Sequence, residues 1–243
     1  MTALLEAEGV TKRYGGVTAV DGCSITVPAG TVTGLIGPNG SGKTTLFNVL
    51  TGYTRPDTGT MRFDGGKVRR PDPIRLYRSG LTRTFQQARI FANLSVVENL
   101  TVAVHQPWYG IMRPAVRRDD RRQALELLEE FGLESLADRP AGVLSYGQKK
   151  LLEFATVLMS RPKLVLLDEP TAGVNPLMIE RIEARIRDLH ARGLTFLVVE
   201  HNMNVVMGLC DPVIVLDHGK KIAEGAPAAV QTDPAVLDAY LGT

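Results

Sequence analysis

Hydrophobic positions change period several times along the chain, and each change marks an element. Residues 4–13 and 17–27 read as strands, parted by Tyr14-Gly15-Gly16, with Asp21-Gly22 as a bulge or turn inside the second. Pro28-Ala29-Gly30 turns the chain into residues 32–36, an apolar run of the kind that forms a buried strand. A helix pattern over residues 44–50 follows, with Gly52 placed to close it. Asp57-Thr58-Gly59 is a turn before a short strand over 60–63. The first third therefore combines antiparallel strands with one strand–helix unit.

Beyond it, residues 71–80 read as a short helix and 81–86 as a strand-like run ending at Gln86 and Gln87. Ser95 with Glu98 makes a capping box for a helix running through Leu100, and Ile90, Phe91 and Leu94 fall in the loop before it. Ala124, Leu127, Leu128 and Phe131 share one helix face, closed by Gly132. A second capping box, Ser145 with Gln148, opens a helix carrying Leu151, Leu152, Phe154, Ala155 and Leu158. Residues 164–167 form an apolar strand that runs into Asp168 and Glu169. Pro176 opens a helix with Ile179, Ile182, Ile186 and Leu189 as its buried stripe, ended by Gly193. Residues 195–199 are another buried strand, followed by Glu200-His201. A hairpin pairs 213–216 with 221–223 across Asp217-His218-Gly219-Lys220, and 234–241 is a final short helix.

Composition narrows the class. The 243 residues are 44% apolar, enough for a full core in one large domain or a domain with a subdomain. With 28 basic and 26 acidic residues the net charge is +2, too balanced for nucleic acid to be the main partner. Two cysteines, Cys23 and Cys210, make neither a disulfide framework nor a zinc site and read as reduced thiols. No apolar run approaches the roughly 18 residues of a membrane span. Residues 1–8 lack the pattern of a secretory leader. The expectation is a soluble protein whose membrane role, if any, comes through a partner.

The chemistry gathers around Gly37-Pro38-Asn39-Gly40-Ser41-Gly42-Lys43-Thr44-Thr45, which fits G-x-x-x-x-G-K-[ST] between a strand and a helix. Three glycines remove Cβ atoms, so backbone N–H groups can close around an anion at a helix N-terminus. Lys43 supplies charge for the β- and γ-phosphates, and the Thr44 hydroxyl is a Mg²⁺ ligand type. Asp168 ends a buried strand, where a phosphate-loop enzyme holds Mg²⁺, and Glu169 beside it can orient a water. Tyr14 is either a half-buried strand residue or a platform for an adenine base. Gln86, at a strand end, is ordinarily polar surface. His201 is a structural histidine or a donor to a phosphate oxygen. Residues 106–120, with Trp108, Tyr109 and a following run of arginines, are either a loop packed on its own subdomain or a contact for a membrane protein or anionic lipid.

Taken in order, the phosphate loop, Gln86, Leu144-Ser145-Tyr146-Gly147-Gln148, Asp168-Glu169 and His201 resemble the ATP-binding subunit of ABC transporters over essentially the whole chain. The resemblance implies an α/β phosphate-loop NTPase fold with an antiparallel β subdomain and an inserted α-helical subdomain. It implies one ABC domain over 2–243, with the helical part at about 87–162. It also implies ATP and Mg²⁺ as cofactors, held by residues 37–45 and by Thr44, Gln86 and Asp168 respectively. Tyr14 then looks like the adenine-stacking residue, Gln86 the glutamine that senses metal and water, Glu169 the catalytic glutamate and His201 the switch histidine. Ser145, Gly147 and Gln148 look like the motif that grips ATP bound to an opposite subunit. Tyr146 stands where the family usually has Gly, and Asn175 where it usually has Asp. Both are typical of the branch that powers uptake of branched-chain amino acids, which shares much with urea and short-amide importers. The implied partners are two membrane permeases, a second ATPase subunit (paralogue or self) and, indirectly, an extracytoplasmic solute-binding protein, at the cytoplasmic face of the membrane. The 106–120 segment fits the first of that branch's two paired ATPase subunits better than the second.

Two other functions are weighed against this. A soluble ABC ATPase that uses ATP-driven dimerisation as a switch usually carries two ATPase halves, a coiled coil or a basic surface. This chain has one copy of each motif, no heptad array and near-zero net charge. A small-molecule phosphotransferase would not need the 144–148 motif.

Overall fold

A computed structural model describes residues 2–84, 90–102, 104 and 118–241. The chain divides into two compact units. The first comprises Met1–Arg83, Lys163–Glu169 and Ile186–Thr243; the second comprises Thr84–Pro162 and Pro170–Arg185.

The first unit holds two sheets. The strands are β1 (Ala3–Tyr14), β2 (Val17–Pro28), β3 (Val32–Ile36), β4 (Thr58–Phe63), β5 (Gly66–Lys67), β6 (Leu81–Arg83), β7 (Leu164–Asp168), β8 (Thr195–Val199), β9 (Val213–Asp217) and β10 (Lys220–Gly225). An antiparallel sheet has the order β2-β1-β4-β5. The other sheet has the order β10-β9-β3-β8-β7-β6 and is parallel except for its β9–β10 hairpin. All five residues of β3, β7 and β8 are buried, as expected of parallel strands covered on both faces. The Asp21-Gly22 irregularity is a bulge, not a turn. Gly22 takes φ 59° inside β2, and the pairing shifts between Val10 opposite Cys23 and Lys12 opposite Val20.

Helices α1 (Lys43–Leu50), α2 (Pro73–Ser79), α7 (Met203–Leu209), α8 (Pro227–Gln231) and α9 (Pro234–Leu241) belong to the first unit. One core joins α1 to both sheets: Leu46, Phe47 and Leu50 lie with Leu5 and Ile25 of the antiparallel sheet and Leu35, Leu166, Leu197 and Ile214 of the parallel one. Helix α2 begins at Pro73, later than its apolar pattern predicts, because the Asp72 side chain accepts the Arg75 N–H at 2.8 Å and caps it. Helices α7 and α8 are absent from the sequence reading. Each spans two turns or fewer, too short to display a helical period. Cys23 and Cys210 are buried, and burial pushes the Cys23 thiol pKa up to about 11, away from reactivity.

The second unit contains α3 (Val96–Val102), α4 (Arg118–Glu130), α5 (Tyr146–Leu158) and the start of α6 (Pro176–Ala191). Both predicted capping boxes are formed, at Ser95–Glu98 and Ser145–Gln148. Phe131 and Phe154 meet edge to face at 5.3 Å between centroids. Buried Asn99 accepts the Phe91 N–H at 2.7 Å and donates to its carbonyl at 3.1 Å, which fixes the loop while Phe91 itself stays 59% exposed. Most of the 106–120 segment lies outside the described residues.

Phe196, the second residue of β8, is fully buried. Phe196→Ala should cost about 3–5 kcal/mol. In urea the unfolding midpoint should fall with the slope unchanged, since the surface exposed on unfolding is nearly the same.

Candidate nucleotide site

The carboxyl ends of four neighbouring parallel strands carry the candidate residues. Strand β3 delivers the phosphate loop, β8 delivers Glu200 and His201, β7 delivers Asp168 and Glu169, and β6 ends at Arg83. The edge of an open parallel sheet at its strand C-termini is where ligands bind in such folds.

The shape of the phosphate loop is set by main-chain atoms of its neighbours. A Cβ on Gly37 would lie 2.1 Å from the Leu216 carbonyl oxygen, and one on Gly42 (φ 98°) would lie 2.3 Å from that of Ala19. The β9–β10 turn, His218-Gly219, has φ 45° and 79°, as a two-residue type I′ hairpin requires. Its Gly219 N–H donates to the Ser41 carbonyl at 3.0 Å, and its carbonyl accepts the Asp21 N–H at 2.9 Å. Ser41 and Gly42 are thus held between β2 and a hairpin tip. Pro38 is half-buried, Asn39 and Gly40 are exposed, Thr44 is exposed on the first turn of α1 and Thr45 is half-buried.

Lys43 curls back into its own loop. Its ammonium donates to the Gly37 and Pro38 carbonyls, each at 2.8 Å. Burial pushes the Lys43 pKa down, and the negative charge of Glu169 pulls it back up. Glu169 has φ 47°, a left-handed conformation that a non-glycine residue takes only when its surroundings impose it. Here the Glu169 N–H donates to the Val199 carbonyl at 2.9 Å, bending the chain sharply as it leaves β7. The carboxylate then lies 3.7 Å from His201 Nδ1. His201 is itself 63% exposed, so it is not a packed structural histidine. Tyr14, at the end of β1, is half exposed, with the Lys12 ammonium 5.4 Å from its ring centre.

Two residues assigned no role from sequence belong to this site. Glu200 is buried, and its Oε2 accepts the His201 N–H at 3.2 Å, holding the turn that presents the histidine. Arg83 pairs with Asp168 at 2.6 Å, both side chains nearly inaccessible. A charged residue at or just past the end of a buried strand was the available signal for each, since buried charges are paired.

In the second unit Ser145 caps α5 by accepting the Gln148 N–H at 3.3 Å, while Gln148 Oε1 accepts the Ser145 N–H at 2.9 Å. Gly147 lies against Met178, where a Cβ would come 3.0 Å from Cε. The Tyr146 ring packs on Gly173. Gln86 lies outside the described residues.

The ABC transporter family model matches residues 20–172. The chain belongs to the ABC transporter family. It is an ABC ATPase that binds nucleotide. A second family model, for branched-chain amino acid ATP-binding cassette transporters, matches residues 220–243. The branched-chain amino acid transport ATP-binding protein BraF of Pseudomonas aeruginosa is 41% identical, covering 98% of each chain. LivG of Methanocaldococcus jannaschii is 37% identical over 98% of this chain and 97% of its own. LivG of Escherichia coli is 36% identical over 98% of each. A solved ATP-binding cassette in its ADP conformation aligns over 100% of both chains at 37% identity with a TM-score of 0.90. A nucleotide-free cassette, also 37% identical and fully covered, gives 0.89. The expected α/β ABC fold is thus the one this ATPase adopts.

Gly42→Ala should weaken ATP binding at least about tenfold, because a strain of ~1–3 kcal/mol and the clash with Ala19 must be relieved by moving the loop. Gly65→Ala, also at positive φ but with open space around it, should leave the affinity unchanged. Titration with a fluorescent ATP analogue compares the two.

Proposed function

We propose that this ABC ATPase powers import of branched-chain amino acids or a related small polar solute. In this reading it docks as a peripheral subunit on two membrane permeases at the cytoplasmic face, and pairs with a second ATPase subunit. A solute-binding protein outside the membrane would deliver the cargo. The observation that carries the reading is the full-length similarity to LivG and BraF, whose names state this transport, together with the branch-specific match at residues 220–243. No helix among the described residues is long and apolar enough to cross a membrane.

The roles follow from charge and position. Backbone N–H groups of residues 37–45 and the Lys43 ammonium take the β- and γ-phosphates, which replace the loop carbonyls that Lys43 now contacts. Tyr14 offers an exposed ring for the adenine. Among the described residues no cluster of three or more His, Cys, Asp or Glu forms an all-protein metal cage. That suits Mg²⁺, which takes one or two protein oxygens beside substrate phosphates and water. Thr44 and Asp168, with Gln86, would hold it, and the chemistry it supplies when bound is neutralisation of phosphate charge. Glu169 orients the attacking water and accepts its proton, and His201 beside it donates to the γ-phosphate. Ser145, Gly147 and Gln148 serve the ATP of the opposite subunit through a capped helix N-terminus.

Glu169→Gln should preserve ATP binding and slow hydrolysis by about 10²–10⁴, the usual worth of a positioned base. ATP should then trap a dimer, visible by light scattering, either of this chain alone or with its paralogue. A monomer under both conditions refutes the opposite-subunit site. Phe91→Asp should spare the ATPase rate of the isolated chain and abolish uptake in the assembled transporter. Retained uptake would move the docking face elsewhere.

A further inference from the structure

Arg83 connects the candidate metal aspartate to the helix of the phosphate loop. It is the last residue of β6, paired in register with Leu166 of β7, so its side chain emerges next to Asp168. Nη2 donates to Asp168 Oδ2 at 2.6 Å. Nη1 donates to Asn48 Oδ1 at 2.6 Å and to Thr51 Oγ1 at 3.3 Å, both on α1 or its cap. The guanidinium also lies 5.3 Å from the Phe47 ring centre and 5.9 Å from that of Tyr53. Each side chain of the ion pair is 8% exposed.

A planar fork braced on two aromatic rings and two α1 oxygens has little freedom to rotate. A carboxylate tied to that fork at Oδ2 cannot turn without breaking a buried, charge-assisted bond. The same α1 carries Lys43 and Thr44 at its first turn. One side chain therefore links the Asp168 carboxylate to the helix that carries the Thr44 hydroxyl.

We propose that Arg83 is the positioning residue of the Mg²⁺ site, orienting Asp168 against α1 so that Thr44 and Asp168 can share one ion. This rests on the reading that Asp168 is a metal ligand. Lysine would not replace it. Its single ammonium cannot serve the carboxylate and Asn48 with the geometry of a guanidinium fork.

The test is nucleotide binding rather than turnover. Affinity for a fluorescent ATP analogue is measured in EDTA and across a Mg²⁺ series, using the full chain and the variants Arg83→Met, Arg83→Lys, Asp168→Asn and Arg83→Met with Asp168→Asn. Arg83→Met should raise the half-saturating Mg²⁺ concentration by about 10–100-fold, the usual cost of losing an outer support of a ligand, with a much smaller loss of metal-free affinity. Arg83→Lys should recover only part of this. The double variant should match Asp168→Asn alone, because Arg83 acts through that carboxylate. Equal losses with and without Mg²⁺, or additive effects in the double variant, would overturn the proposal and leave Arg83 a packing residue. Should Arg83→Met not fold, because a buried carboxylate loses its partner, Arg83→Lys and the double variant carry the same comparison. If Asp168→Asn does not alter the Mg²⁺ dependence, the metal assignment itself fails and the role of Arg83 falls with it. If Asp168→Asn alters it and neither Arg83 variant does, only the proposal for Arg83 is overturned.

Discussion

The register of the parallel sheet is the constraint on which the site depends. Pairing of β6 with β7, β7 with β8 and β8 with β3 places Arg83, Asp168, Glu200 and the phosphate loop at one edge. None of these polar groups would choose that arrangement, since each has to be taken partly out of water. It is enforced by β3, β7 and β8, whose side chains are all buried. A slip of one residue in a strand buried on both faces would exchange every side chain between two packed layers. The apolar run thus fixes where the charges at its end must stand.

Once aligned, the charges organise one another. Lys43 and Arg83 are the cations and Asp168 and Glu169 the nearby anions, with Arg83 neutralising Asp168 directly and Glu169 supporting the charge on Lys43. Burial penalises each group alone, and the alternation of sign offsets part of that penalty. Of the two carboxylates at the end of β7, Glu169 is the one with a left-handed backbone, and it is the one proposed to orient the attacking water. Strain of this kind persists where the surroundings impose it.

Much of the first unit was legible because its strands announce themselves. The run at 32–36 and the run at 195–199 appear as β3 and β8 with the same bounds, and the final helix likewise. Both capping boxes were readable because a hydroxyl and an amide or acid three residues apart have one common use. The grip on the phosphate loop was not readable. It comes from the carbonyls of Ala19 and Leu216 and the N–H of Gly219, and main-chain atoms leave no trace in residue type. Arg83 was hidden for a different reason. Its partners Asn48, Thr51 and Asp168 lie 35, 32 and 85 positions away, and no local pattern joins them.

The two departures from the usual family pattern find local explanations in the second unit. Asn175 precedes Pro176 of α6, and its Oδ1 accepts the Met178 N–H at 2.9 Å. Asparagine caps a helix about as well as aspartate, so exchanging one for the other keeps the cap and removes only a charge. Tyr146 needs somewhere for its ring to lie, and Gly173 supplies it. A Cβ there would meet the ring at 3.3 Å, and Gly173 has φ 72°, so a larger residue would be strained as well as crowded. The bulky residue in the 144–148 motif and the small one in the segment following Glu169 therefore fit as a pair. A tyrosine at the first position is tolerable because a glycine stands at the second, which ties the conformation of the motif helix to that of the segment around Gly173.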